Sequence, residues 1–226
     1  MPLSPPPTFH WLWAMLHPLL FDDRCRHCGH PRALLCQYCL ALLDGLERSP
    51  APVPDAPRTL SLYNYEEPLR SWLQRAKFGG ESALLSPLAS TSTCKGSLRE
   101  TLLQTLAHEV DLITPIPDSP ARRAARGFNP AALLALHWAP VLGLPVEPLL
   151  KLKRTRSPQV GRSREARWEG LRDRFIADDK AHSRRVLIVD DVVSTGATLH
   201  AARHALLRAG AEEVWALTLA ATPQGA

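Results

Sequence analysis

No apolar run in this chain is long enough to cross a bilayer. The run near the N-terminus, residues 9–21 (FHWLWAMLHPLLF), has thirteen residues and is interrupted by Pro18, whereas a spanning helix needs about 20. It lacks the basic stretch before it and the small-residue site after it that mark a secretory leader. It is therefore expected to pack on the body as a short helix or strand, with an interfacial anchor as the alternative. No internal repeat is visible, and no composition extreme either. Hydrophobic residues make up 45% and charged residues 22%, which excludes wholesale disorder, a collagen-like chain and a disulfide mini-scaffold. The 226 residues fit one domain, or one with a small appendage.

Cysteine is scarce and uneven. Cys25, Cys28, Cys36 and Cys39 share one window and Cys94 stands alone downstream. An odd count without a leader points to a reducing, cytoplasmic setting in which thiols bind metal or stay free. The two Cys-x2-Cys knuckles each present two thiolates from a tight turn, with Gly29 after the first suiting the reversal. Two such turns facing each other close the tetrahedral site that structural zinc prefers. Cys25, Cys28, Cys36 and Cys39 are thus the expected metal ligands; unligated core thiols or a pair of disulfides are the alternatives. A closed four-thiolate site has no place for water and serves folding or partner docking rather than catalysis.

Proline punctuates the organisation. Residues 1–48 hold the cysteine window. Residues 49–58 (SPAPVPDAPR) carry four prolines, which exclude helix and central strand and mark an extended linker. Residues 59–226 form the main domain. There the pattern predicts a strand at 59–65, a helix over 67–78 with Leu69, Trp72, Leu73 and Ala76 on one stripe, and a helix over 98–109. A strand follows at 110–116, then a helix from Asn129 as cap with Pro130 at its first position. A continuous apolar strand comes at 186–190, then a helix starting at Ser194 or Thr195 and ending at Gly210, and a last strand at 214–219. The class is α/β, with a parallel sheet and flanking helices.

The strongest chemical signal is VLIVDDVVSTGATL at 186–199. A buried strand delivers Asp190 and Asp191 to its carboxyl end, where open α/β sheets bind ligands. The loop 194–198 then opens a helix. Small residues and Gly196 let backbone N–H groups approach an anion, Ser194, Thr195 and Thr198 add hydroxyls, and the helix N-terminus adds a positive dipole. Two carboxylates beside a phosphate cradle repel an anion unless they accept hydrogen bonds from neutral hydroxyls, so a sugar phosphate fits. The loop lacks the lysine of a Walker motif. The bland alternative is a strand end followed by an ordinary helix cap.

Charge is also concentrated. The chain carries 27 Lys and Arg against 22 Asp and Glu, a net +5. Residues 151–174 hold nine basic and three acidic residues, a net +6, which leaves the remainder at −1. A flap over pyrophosphate or a contact surface for nucleic-acid backbone are the uses of such a segment. Pro158 and Gly161 favour a loop at its centre, with a helix expected around 164–171, and Trp168 is either a stacking platform or a core residue.

The motif at 186–199 resembles the phosphoribosyl pyrophosphate motif of type I phosphoribosyltransferases. Together with the cysteine knuckles it resembles the ComF family, associated with competence and DNA uptake. Further matching stretches are YEEPLR at 65–70 with KFGG at 77–80, TPIP at 114–117 with RGFN at 126–129, and residues 154–159 followed by Arg164 and Arg167. The resemblance implies a type I phosphoribosyltransferase-like sheet that binds phosphoribosyl pyrophosphate with Mg2+. Asp190 and Asp191 would hold the ribose hydroxyls, Ser194, Thr195, Gly196, Ala197 and Thr198 the 5′-phosphate, and Val192 would belong to the same ligand-binding set. Pyrophosphate would lie against residues 117–127, with Lys77, Arg122, Arg126, Gly127, Arg154 and Arg164 as anion contacts; the alternative for Lys77 is a cation that favours its helix C-terminus. Chemistry in such enzymes displaces pyrophosphate at ribose C1. A C-terminal base-recognition hood is not expected after Thr198, so an acceptor would fall to residues 59–109 or to another molecule. The implied role is an enzyme of unknown acceptor in DNA uptake and natural transformation. The alternative is a non-catalytic module binding single-stranded DNA or docking a helicase or other uptake protein.

Overall fold

The computed structural model describes residues 24–31, 33–47, 58–90, 98–153 and 174–223. The apolar run 9–21, most of the proline linker, Cys94, Arg154, Arg164 and Trp168 lie outside them. In chain order the described elements are α1 (Gln37–Leu40), β1 (Thr59–Asn64), α2 (Leu69–Phe78), α3 (Leu85–Ala89), α4 (Leu98–Glu109), β2 (Leu112–Pro115), α5 (Pro120–Arg126), α6 (Pro130–Leu142), β3 (Leu150–Leu152), β4 (Phe175–Ala177), β5 (Arg185–Val193), α7 (Ala197–Arg208) and β6 (Glu213–Ala221).

Four parallel strands form the main sheet in the order β1-β6-β5-β2. β5 is apolar on both faces because both are covered. Leu187 and Val189 belong to one buried cluster with Trp72, Leu134 and Trp138 from α2 and α6. Val186 and Ile188 belong to another with Leu199, Ala202 and Leu206 from α7. The strand's period of two therefore serves two cores at once. The stripe expected on α2 is buried, Leu69, Trp72, Leu73 and Ala76 each being 1% exposed or less. Two polar pairs are tied inside the sheet: Ser61 and Thr218 hydroxyls lie 2.6 Å apart, and the Leu149 amide donates to Thr114 Oγ1 at 3.0 Å.

Several boundaries differ from the sequence reading. β5 runs to Val193, past the aspartates, because its partner β6 continues alongside it to Ala221. The opposite edge behaves differently, since β2 pairs with β5 only as far as Pro115↔Val189. Asp190 and Asp191 are thus in a strand on one side and beyond the ladder on the other. The next helix starts at Ala197, not at Ser194 or Thr195, with Gly196 at its cap in the left-handed region, φ 72°. Residues 117–127, read as a loop, contain the short helix α5. Ser119 caps it by accepting from the Arg122 amide, Pro120 occupies its first turn, and Gly127 ends it at φ 76°. Those signals follow the ordinary start and stop rules. α6 begins as expected, with Asn129 Oδ1 accepting from the Ala131 amide at 3.0 Å. The strand at 110–116 is trimmed to Leu112–Pro115.

The hairpin β3–β4 was not anticipated. It pairs Leu150 with Ala177 and Leu152 with Phe175 in antiparallel register, and the Lys153 amide donates to the Arg174 carbonyl at 2.9 Å. The basic segment therefore leaves and returns at adjacent points.

Candidate functional site

The connections that follow β2 and β5 bury their helices, α6 and α7, mainly on opposite faces of the sheet. That leaves a crevice at the carboxyl ends of these two strands, the switch point at which open α/β sheets bind ligands. The crevice is a cleft of ≈ 330 Å³. Ile116, Pro117 and Asp118 come to it from the end of β2, and Asp190, Asp191 and Val192 from β5. Lys77 and Phe78 come from the end of α2, Arg122 and Arg126 from α5, and Thr198 from the first turn of α7. Arg174, at the foot of the hairpin, closes the wall.

Two cations of the cleft are paired with carboxylates. Lys77 Nζ lies 2.9 Å from Asp191 Oδ2, the two side chains being 13% and 15% exposed. Arg126 Nη1 lies 3.6 Å from Asp118 Oδ2. Asp190 Oδ1 accepts from the Asp191 amide at 2.9 Å. Burial, reinforced by the neighbouring Asp191 charge, pushes Asp190 up to about 7 against its ordinary 3.8. A carboxyl poised there exchanges its proton readily around neutral pH, and hydroxyl donors or a cation at the site would favour its charged form.

The loop 194–198 supplies the second half. Gly196, with φ 72°, turns the chain into α7, whose first-turn Thr198 lines the same cleft as the aspartates. The first amides of a helix have no intrahelical acceptor, and the Ala197 amide reaches only to Thr195 Oγ1 at 3.5 Å. Ser194 and Thr195 are exposed and Gly196 is buried. Small residues and a dipole end make this turn suited to a phosphate.

Of the residues singled out from sequence, Asp190, Asp191, Val192, Thr198, Lys77, Arg122 and Arg126 line the one cleft. Ser194, Thr195, Gly196 and Ala197 form the adjoining turn, Gly127 is the stop of α5, and Arg154 and Arg164 lie outside the described residues. Sequence reasoning did not single out Asp118, Phe78 or Arg174, although Asp118 falls in the stretch 117–127 expected against pyrophosphate, Phe78 in the matching stretch 77–80, and Arg174 at the end of the basic segment. Phe78 had a readable signal, because it falls off the buried stripe of its own helix and sits just before Gly79 and Gly80. For Asp118 the signal reached only the stretch 117–127, since the end of β2 is what brings this residue to the cleft opposite β5.

The cysteines form a second site. The Sγ atoms of Cys25, Cys28, Cys36 and Cys39 lie within 4.8 Å of one another. Cys25 and Cys39, and likewise Cys28 and Cys36, are 3.6 Å apart, too far for a disulfide. Four sulfurs at about 2.3 Å from a tetrahedral metal ion have edges of about 3.8 Å, so the donor set fits such an ion. The Cys36 amide points at Cys25 Sγ at 3.4 Å. Burial raises the Cys25 thiol, but amides of Cys28, Cys36 and His27 outweigh it and bring it down to about 6. For Cys39 burial and the surrounding thiols act together and push it up. The knuckles sit on α2: His27 meets Trp72 edge-on at 5.3 Å, and the Arg75 guanidinium donates to the Arg26 carbonyl while pairing with Glu81 at 2.8 Å. Cys25, Cys36 and Cys39 join the same buried cluster as Leu187 and Trp138.

A family profile described as "Phosphoribosyl transferase domain" matches residues 174–226. The chain is 30% identical to "DNA utilization protein YhgH" of Salmonella typhimurium, over 85% of this chain and 82% of that one. It is 29% identical to "Competence protein ComFC" of Bacillus subtilis, over 82% and 72%, and 28% identical to "Competence protein F" of Haemophilus influenzae, over 87% and 84%. The chain belongs to the ComF family. These matches cover most of this chain and most of each relative. A purine phosphoribosyltransferase from Pyrococcus horikoshii Ot3 aligns over 55% of this chain and 72% of its own, with 23% identity and a TM-score of 0.35. The fold assignment of this ComF protein rests instead on its strand order and on the matched profile. No described helix is long and apolar enough to cross a membrane.

Proposed function

We propose that this ComF protein binds phosphoribosyl pyrophosphate with Mg2+, in a cytoplasmic role in DNA uptake and natural transformation. The single observation that carries the reading is the placement of Asp190 and Asp191 on one cleft with Lys77, Arg122, Arg126, Arg174 and the amino end of α7. Asp190 and Asp191 accept hydrogen bonds from the ribose 2′ and 3′ hydroxyls. The turn 194–198 holds the 5′-phosphate through its amides and hydroxyls. Arg122 and Arg126 face the pyrophosphate. Lys77, paired with Asp191, lines the same cleft and serves the same leaving group. Mg2+, when bound, would be held mostly through the ligand and would supply neutralisation of the charge on the departing pyrophosphate. Positioning and charge neutralisation of this kind are what displacement at ribose C1 requires of a protein.

Zinc on Cys25, Cys28, Cys36 and Cys39 completes the proposal as a structural ion that fastens the knuckles to α2. The organisation into a knuckle segment, a linker at 49–58 and a main domain from 59 is part of it. A second reading draws on the hairpin, which starts and ends the basic segment beside the cleft: single-stranded DNA then occupies a basic groove without turnover, and the knuckles dock a helicase or other uptake protein.

Calorimetric titration of phosphoribosyl pyrophosphate with Mg2+ into the wild type and Asp191→Asn tests the first reading. Saturable heat from the wild type and a much weaker response from the variant are expected, and a wild type that gives no heat removes the claim. Steeply salt-dependent binding of single strands, kept when both aspartates become asparagine, would favour the second.

A further inference from the structure

α6 has the sequence PAALLALHWAPVL, without one Lys, Arg, Asp or Glu, and a helix that is apolar all round is expected to be covered all round. One side of it is left open. Leu134, Ala135, Trp138 and Leu142 lie in the core, whereas Leu133 is 37%, Leu136 61% and Val141 52% exposed. Leu133, Leu136, His137 and Pro140 recur at the spacing of a single helix face, so they form a second stripe beside the buried one. Between this stripe and residues 82–86, which lead into α3, lies a hollow of ≈ 420 Å³, lined among others by Leu85, Leu133 and Leu136 and by the polar Ser82, Ser86 and His137. Both walls are fixed, since Trp138 Nε1 donates to the Ala89 carbonyl at 3.1 Å and so ties α6 to the end of α3. The described residues that line the hollow include no Lys, Arg, Asp or Glu. Burial holds the His137 imidazole below its ordinary value, so it is neutral at pH 7 and keeps one acceptor nitrogen.

We propose that this hollow is the seat of the chain's own apolar run, residues 9–21. The N-terminal segment is anchored at the rim of the hollow. The Arg75 guanidinium donates to the Arg26 carbonyl, and Arg26 Nε and Arg75 Nη2 both pair with Glu81, at 3.9 and 2.8 Å. Ser82, the next residue along, already lines the hollow. Arg26 follows Phe21 by five positions, a reach of at most about 18 Å, so the run is tethered beside the open stripe. Its composition matches the walls: FHWLWAMLHPLLF contains no Lys, Arg, Asp or Glu. The indole N–H groups of Trp11 and Trp13 need acceptors once covered, and Ser82, Ser86 and the neutral His137 supply them. Tethering gives the run a high effective concentration at this face, which favours it over a second copy or another protein. Seating takes apolar side chains out of water and covers α6 on both sides. The cysteine window then has two fastenings to the main domain, the knuckle contacts on α2 and the run on α3 and α6, and the second does not depend on a metal.

Hydrogen exchange read by mass spectrometry on the full chain tests this, with wild type, Leu136→Glu and Leu136→Met. Because Leu136 is 61% exposed, the glutamate variant is expected to fold, and unchanged exchange in β5 checks it. In the wild type the amides of residues 9–21 should exchange at least about tenfold more slowly than those of a free chain. They should approach free-chain rates in Leu136→Glu, stay protected in Leu136→Met, and be indifferent to dilution. The proposal is overturned if the run exchanges freely in the wild type, or if Leu136→Glu leaves it protected, which would seat it elsewhere. It is equally overturned if protection falls on dilution together with a dimer seen by light scattering, which would give the hollow to a second copy. Protection that arises only with phosphatidylglycerol vesicles would overturn it too, by making the run an interfacial anchor.

Discussion

Lys77 Nζ sits 2.9 Å from Asp191 Oδ2, joining the end of α2 to β5 across the cleft. The pair offsets part of the repulsion between two adjacent carboxylates, and any ligand that uses Asp191 must compete with it.

Replacing Lys77 with alanine removes the offset and leaves Asp191 without its partner. Because both side chains are largely buried, we expect a loss of about 1–3 kcal/mol in denaturant unfolding and an Asp190 that titrates higher still, followed by carboxyl-carbon NMR. An unchanged Asp190 titration would show that the lysine does not act on the acidic pair.

Asp190 makes stability depend on pH. Its folded value of about 7 lies above its ordinary 3.8, so the folded chain holds a proton that the unfolded chain has lost. The contribution is fully present below about 3.8 and is lost as pH rises to 7. Denaturation midpoints of wild type against Asp190→Asn should diverge over that window, the variant showing the flatter profile. Binding of a magnesium sugar phosphate should release a proton near neutral pH, read from titrations in buffers of different ionisation heat.

Gly196 holds φ 72° at the start of α7. Gly196→Ala places a side chain in the left-handed region, at a cost of about 1–2 kcal/mol. It should also tilt the amides that face the phosphate. Affinity for phosphoribosyl pyrophosphate is expected to fall more than that of Thr195→Ala, whose change leaves the backbone alone. Equal losses would place the binding in the hydroxyls rather than in the turn.

The four thiols are expected to carry one zinc per chain in protein purified without chelator. Less than half an equivalent by elemental analysis would remove the zinc assignment. Cys36→Ser or removal of the ion should lower the melting temperature of the whole domain, since Cys25, Cys36 and Cys39 lie in the cluster that also holds Trp72 and Leu187. A melting curve indifferent to chelator would mean that the knuckles contribute nothing to that core.

How far the residues could be read without coordinates varies with the kind of signal. The run 186–190 announced a strand because apolar side chains on both faces need cover on both faces. Asn129 and Pro130 announced the start of α6 because cap chemistry is local. The helix at 120–126 carried equally local signals in Ser119, Pro120 and Gly127, but its exposed basic face lacks an apolar stripe and so resembled a loop. The hairpin β3–β4 was hidden because three-residue strands show no period, and because its two strands are far apart in the chain.

The amino-acid sequence by itself determined the chemistry on offer: two facing thiol pairs, an acidic pair at a strand end, a small-residue turn before a helix, and a cationic segment. Each is a matter of neighbours within a few residues, where backbone geometry alone decides what faces what. Only the tertiary structure decided which of these meet. Parallel pairing of β5 with β2 stops at Val189 and so frees Asp190 and Asp191 toward the cleft. Packing of α2 against the same core carries Lys77 to Asp191 and leaves Phe78 at the mouth. Such meetings depend on which faces bury together, and that is settled by the whole core at once rather than by any stretch of the chain.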